Sequence, residues 1–168
     1  MFNKKILENL SEQKNFKLKL LISLSVVFID QTTKVLVRNF INEGDTWPEN
    51  FNLLFISHIE NTGAAFGIFQ EYSNVLTIIT FFTLIGLLYF MLKMSFVSHW
   101  QNLGLTLILG GAIGNFLDRL IRGSVTDFID PIYYPAFNIA DSSIVIGTGL
   151  ILLFAIVDRN NTEIIKER

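Results

Sequence analysis

Four long stretches of apolar positions set the pattern of this chain, at about 18–37, 75–92, 103–121 and 139–157. A helix needs about 20 residues to cross roughly 30 Å of hydrocarbon, and each stretch is near that length. A soluble helix this long shows a polar face, whereas no charged residue falls between 75 and 92. The pattern therefore predicts a membrane all-α fold with four transmembrane helices. A charged start ahead of a short apolar stretch also fits a signal peptide. No small-residue cleavage site follows, however, and Asp30-Gln31-Thr32-Thr33-Lys34 stands there instead.

The cations orient these segments. Lys4, Lys5, Lys14, Lys17 and Lys19 precede or open the first, Lys93 separates the second from the third, and Arg159, Lys166 and Arg168 follow the fourth. The positive-inside rule then places both termini in the cytoplasm. Residues 1–17 form a cytoplasmic N-terminal segment, either a helix lying on the membrane surface or a solvated tail. Two loops, about 38–73 and 123–138, face outward. In the first, Phe51 to Ile59 is rich in strand formers and predicts a small extracytoplasmic β-sheet. Glu60 to Gly67 then reads as a glycine-marked turn.

Composition narrows the function. Of 168 residues, 51% are hydrophobic and 17% charged, which suits one integral membrane domain over 1–168. The net charge of −2 offers no surface for nucleic acid. There is no cysteine, and the histidines are His58 and His99 alone, so no metal site and no cofactor is expected.

Polar groups at membrane depth are costly, and their spacing is informative. Asp30 and Lys34 stand i, i+4 on one helical face, either as an interfacial ion pair with Lys34 snorkelling outward or as part of a site. Asn115, Asp118, Arg119 and Arg122 form a stripe on the third segment, with Arg122 placed to pair with Asp118. Gly110 and Gly114 make a G-x-x-x-G that admits a close neighbour. Asn138-Ile139-Ala140-Asp141 reads as a capped helix start, and Asp127 by itself as a loop acid. The same two aspartates also suit general acid–base chemistry. Two close carboxylates share a proton, so the pair can activate water and protonate a leaving amine. A positive helix terminus biases Asp141 toward the ionised form and leaves Asp127 more often with the proton, while spacing alone leaves the holder of the shared proton open. Ser142 and Ser143 have no histidine nearby in the sequence, which disfavours a serine hydrolase.

These residues, in order, resemble the lipoprotein signal peptidases (signal peptidase II). The matches are Asp30-Gln31-Thr32-Thr33-Lys34, Asn61-Thr62-Gly63-Ala64-Ala65-Phe66, Gly110 to Leu120, Gly123-Ser124-Val125-Thr126-Asp127-Phe128 and Phe137-Asn138-Ile139-Ala140-Asp141. The resemblance implies an aspartic endopeptidase of the bacterial cytoplasmic (inner) membrane, with its site toward the extracytoplasmic face. It would cut prolipoproteins before a diacylglyceryl-modified cysteine. On the same resemblance Asp127 and Asp141 fall on the catalytic dyad. Asp30, Lys34, Asn61, Gly63, Asn115, Asp118, Arg119, Asn138 and Ala140 fall on site-shaping positions. The expected partners are lipid-modified prolipoproteins and membrane lipid; a monomer suffices. The long first outer loop is expected to cover the site. The rival readings are a small proton-coupled transporter, which favours midplane acids and internal repeats, and a structural membrane subunit.

Overall fold

The computed structural model describes residues 2–48, 54–63, 72–93 and 98–166, with side chains between 16 and 157. Its elements are α1 (Phe2–Phe40), β1 (Thr46–Trp47), β2 (Leu54–Asn61), α2 (Ser73–Lys93), α3 (His99–Arg122), β3 (Val125–Pro131) and α4 (Ile139–Lys166). Four stretches are long and apolar enough to cross a membrane: Phe16–Phe40, Ser73–Lys93, His99–Arg122 and Ile139–Val157. The four-helix expectation and the small sheet therefore both hold.

Residues 2–17, expected as a surface helix or a tail, are helical and run without a break into the rest of α1. That helix has 39 residues, about 58 Å at 1.5 Å per residue.

The third helix is the centre of the bundle. It packs against α1, α2 and α4, while α2 and α4 leave most of their surface open. Lipid tails supply no hydrophobic drive between helices, so close packing of small residues must hold them. A Cβ on Gly104 or on Gly147 would fall within 3.0 Å of the other's carbonyl oxygen. One on Gly111 would strike Ala140 O, and one on Gly110 would come 2.8 Å from Val26 Cβ. Gly110 thus admits α1, and Gly104 and Gly111 admit α4. On the remaining side Leu84 and Met91 of α2 pack with Leu105, Leu109 and Ala112 of α3.

The ends of α3 are written in the sequence. Ser98 caps its start by accepting the Trp100 N–H. Gly123 ends it with φ 79°, a left-handed conformation that costs glycine little, and donates to Arg119 O at 3.0 Å. That turn sends the chain directly into β3.

The three strands form one antiparallel sheet in the order β1-β2-β3. Its register pairs Trp47 with Ile56, Leu54 with Pro131, Ile56 with Ile129, Ile59 with Asp127 and Asn61 with Val125, with a bulge between Ile56 and Ile59. Beyond β3, Phe137 bridges back to Ile129 and delivers the chain to the first turn of α4. The strand expected at 51–59 lies at 54–61, and 51–53 fall outside the described residues. Glu60 and Asn61, expected in a turn, extend the strand; Ala64 to Gly67 lie outside the described residues, as does much of the loop expected to cover the site. Asp127, expected in a loop, sits inside β3.

Two glycine substitutions test this packing. Gly111→Ala must push α4 away, and is expected to lower the thermal midpoint of the solubilised protein. Gly86→Ala on α2 meets nothing within 4 Å; it is expected to be neutral or to gain up to roughly 1 kcal/mol of helix propensity. Equal effects would show that the α3–α4 approach does not limit stability.

Candidate active site

A buried cation organises the end of the bundle nearest the sheet. Lys34 is fully buried, with Nζ 2.8 Å from Asp30 Oδ2 and 3.0 Å from Asp118 Oδ2, and it donates to Asn115 Oδ1 at 3.0 Å. The Asp30–Lys34 ion pair is therefore present, but Lys34 does not snorkel outward, because two carboxylates and an amide hold it inside. Arg38, one turn further along α1, lies 3.6 Å from Asp118 Oδ1 and supplies a second positive charge. The expected Asp118–Arg122 pair is replaced: Asp118 turns inward to Lys34 and Arg38, while Arg122 reaches Glu60 at 3.7 Å.

Each acid of this cluster also ties down another element. Asp30 Oδ1 accepts the Ala140 N–H at 2.9 Å, joining α1 to α4. Gly114 makes room, since a Cβ there would meet Asp30 Oδ2 at 2.6 Å. Gln31 Nε2 lies within 3.3 Å of Asp30 Oδ2, Asp118 Oδ1 and Gly114 O. Asp118 Oδ2 accepts the Thr126 N–H at 3.4 Å, joining α3 to β3.

The two candidate catalytic carboxylates sit above this base. Asp127 Oδ1 accepts from Asn138 Nδ2 at 2.7 Å and Oδ2 from Asn61 Nδ2 at 2.8 Å. Asp141 Oδ1 accepts from Asn115 Nδ2 at 2.7 Å and Oδ2 from the Asn138 N–H at 3.3 Å. Asn138 thus touches both acids. It also accepts the Asp141 N–H at 2.9 Å on Oδ1, so Asn138 and Asp141 form the reciprocal capping box their spacing suggests. The capping reading and the site reading describe the same atoms.

The orientation of each of the three asparagine amides is fixed by a donor to its oxygen. Asn115 Oδ1 takes Lys34 Nζ, Asn138 Oδ1 takes the Asp141 N–H, and Asn61 Oδ1 takes the Gly63 N–H at 2.9 Å. Each NH2 group is left to face a carboxylate. Arg119 Nη2 holds Gly63 O at 3.1 Å, and its Nε is buried without a hydrogen-bond partner among the described residues.

Burial pushes the Asp127 carboxyl up to about 6. The Asn61 hydrogen bond opposes this, the Asp141 charge adds to it, and the Asn138 bond and Lys34 oppose it again.

All the site residues expected from sequence are thus gathered in one place: Asp30, Lys34, Asn61, Gly63, Asn115, Asp118, Arg119, Asp127, Asn138, Ala140 and Asp141. Sequence reasoning missed Thr126 and Glu60. Thr126 donates to Glu60 Oε1 at 2.9 Å and accepts from Arg38 Nη1 at 2.8 Å. The run Val125-Thr126-Asp127-Phe128-Ile129, dense in β-formers, was the available signal for their strand. Ser142 and Ser143 only bond back to Asn138 O and Ile139 O, while His58 faces Ile41 O and Glu60.

Fold and site define a multi-pass membrane protein with two carboxylates set among oriented amides. Residues 22–157 match the family model described as signal peptidase (SPase) II. The chain is 37% identical over 147 residues to the lipoprotein signal peptidase of Halalkalibacterium halodurans, covering 85% of this chain and 94% of that one. It is 38% identical over 146 residues to that of Staphylococcus aureus, covering 84% and 90%. A bacterial membrane enzyme solved by the in meso method superposes with a TM-score of 0.80 at 37% identity, covering 86% of this chain and 91% of that one. The chain belongs to the signal peptidase II family of membrane proteases.

The buried cluster makes a direct prediction. Removing one partner of a buried ion pair costs about 3–5 kcal/mol, because the other charge stays buried. Lys34→Met is expected to lower the thermal midpoint sharply, and the double change Lys34→Met with Asp30→Asn to recover part of the loss. A single variant as stable as the parent would mean that the cluster carries no net stability.

Proposed function

We propose that the chain is an aspartic endopeptidase that removes signal peptides from diacylglyceryl-modified prolipoproteins. The cut falls just before the lipidated cysteine, and Asp127 and Asp141 are the dyad. One observation carries this reading: Asn138 donates to both carboxylates, by its side chain to Asp127 and by its backbone to Asp141. Acids used merely as a cap and a strand residue have no need of a shared donor.

In this reading Asp127 holds the shared proton and Asp141 is ionised. Asp141 takes a proton from water as the water oxygen attacks the scissile carbonyl carbon. Asp127 gives its proton to the carbonyl oxygen. The resulting diol collapses as Asp141 returns its proton to the leaving amine and a diol hydroxyl returns one to Asp127. Both acids are regenerated, and neither a metal nor a side-chain nucleophile takes part. Asn61, Asn115 and Asn138 keep the carboxylates in place, and the Lys34 cluster holds the amides. Asp30, Asp118, Gly63 and Ala140 complete that scaffold, and Arg119 fixes the Gly63 carbonyl.

The charge asymmetry of the sequence supports placing both termini in the cytoplasm and the site at the outer face of the cytoplasmic membrane. A lipid-anchored substrate diffuses in the bilayer plane, so a monomer with a site at that depth meets the scissile bond without drawing the lipid into water. A transporter fits less well, because the acids gather at one end of the bundle, beside the sheet.

Cleavage of a purified diacylglyceryl-modified prolipoprotein tests the dyad. Asp127→Asn and Asp141→Asn are each expected to lose at least about 10³-fold in kcat while remaining folded. Normal cutting by either variant would remove that residue from the chemistry.

Acidity gives a second test. Because Asp127 must keep its proton, kcat/KM is expected to fall as pH rises through about 6. Asn61→Ala removes a donor that favours the ionised form, so the limb should move to higher pH; no shift, or a downward one, would refute the assignment. The linkage to folding has the same sign. Since the folded-state value is raised, the stability Asp127 contributes is fully present below its unfolded value and is lost as pH rises through about 6.

A further inference from the structure

One face of the sheet leaves a run of large apolar side chains exposed. Residues paired directly across an antiparallel ladder share a face. The register therefore places Trp47, Leu54, Ile56, Ile59, Ile129 and Asp127 together on one face, and the bulge at Ile56/Ile59 keeps that parity. The other face carries Glu60, Thr126 and Phe128; the Thr126 hydroxyl accepts from Arg38 near the end of α1 and donates to Glu60. A one-sided antiparallel sheet normally buries its apolar face and wets its polar one. Here the face of Glu60, Thr126 and Phe128 is covered, and the other face is buried at Val125 and Asp127 but stands open beyond them, with Trp47 62%, Leu54 44%, Ile56 39% and Ile59 38% exposed. A contiguous exposed apolar patch of this kind marks an interaction surface.

We propose that this face receives the acyl chains of the substrate's diacylglyceryl group. The inference rests on the peptidase reading above, and continuity with the dyad selects the occupant. Ile59 is the direct ladder partner of Asp127; the pairs Ile56–Ile129 and Leu54–Pro131 follow, and Trp47 flanks Ile56. The apolar ladder thus begins at the candidate catalytic acid and runs about 13 Å away from it at 3.3 Å per residue. The modified cysteine is the residue just after the scissile bond, so its lipid must leave the site within one residue of the dyad. No charged residue of β2 or β3 shares this face between Ile59 and Leu54. Bulk bilayer lipid is the competing occupant, and it would contact the face whatever the substrate carries.

The test compares two prolipoproteins with the same peptide and diacylglyceryl groups of long and short acyl chains, at fixed detergent concentration. Each buried methylene is worth about fourfold, so wild type is expected to favour the long chains by at least about tenfold in kcat/KM. The double variant Leu54→Asn with Ile56→Asn is expected to lose that preference to within about threefold. A wild type that cuts both equally, or a folded double variant that keeps the preference, overturns the lipid-face proposal while leaving the peptidase reading intact. A wild type inert on both substrates overturns the two together. Should the variant fail to fold, a wild-type photocrosslink decides. A diazirine at the end of the substrate's acyl chain is expected to label Leu54 to Ile59 and to resist excess phospholipid. Labelling confined to α2 and α4, or abolished by phospholipid, refutes the proposal.

Discussion

One ammonium group, that of Lys34, holds the functional end of this protein together. Buried among hydrocarbon, it would be prohibitively costly alone. It is tolerated because Asp30, Asp118 and Asn115 surround it at 2.8–3.0 Å, and because Arg38 balances the second acid. Each partner carries the constraint outward. Asp30 accepts from the backbone at Ala140, Asp118 from the backbone at Thr126, and Asn115 donates to Asp141. A single charge on α1 thereby sets the position of α4's first turn and of the strand bearing Asp127. Lipid cannot substitute for any of these contacts, so the pairing is specified in a way that apolar packing between helices would not provide.

Asn138 shows why structural and catalytic readings of one residue need not compete. A capping box stiffens the first turn of a helix by satisfying two orphan N–H groups reciprocally. Here its acid is Asp141, and its amide NH2, with the oxygen already occupied, has one direction left, toward Asp127. The motif that starts the helix thus also fixes both candidate carboxylates on rigid elements. Gly111 and Gly114 serve the same end, since they let α4 and the Asp30 carboxylate approach α3 closely enough for these bonds to form.

The helices were legible because long uncharged stretches admit few other structures, and the shared stripe of Asn115, Asp118 and Arg119 followed from helical periodicity. Local spacing did not reveal the partners. Asp118 and Arg122 are one turn apart, yet a buried lysine from α1 outcompetes the exposed arginine, and nothing in α3 itself announces Lys34. Asp127 looked like a loop acid because β3 exists only by pairing with β2, more than sixty residues earlier in the chain. Such non-local pairing leaves a weak local signal, here the β-branched run around Thr126. The bulge at Ile56/Ile59, which turns both Ser57 and His58 inward, left no signal that was recognised.

The two faces of the sheet serve Asp127 differently. Behind it, every polar atom of Thr126 is used: N–H to Asp118, C=O from Asn138, and the hydroxyl between Arg38 and Glu60. Burial alone would raise the Glu60 carboxyl. The hydrogen bonds of Ser124, His58 and Thr126, with the charge of Arg122, outweigh burial and hold it below its ordinary value. Glu60 therefore remains an ionised acceptor that anchors the strand from the polar side. On the Asp127 side the ladder turns apolar beyond Asn61, so the carboxylate is held by two amide donors alone, Asn61 of β2 and Asn138. A rigid polar backing and an apolar front together explain how one aspartate can be firmly held and still be pushed toward its protonated form, the combination a shared-proton pair requires.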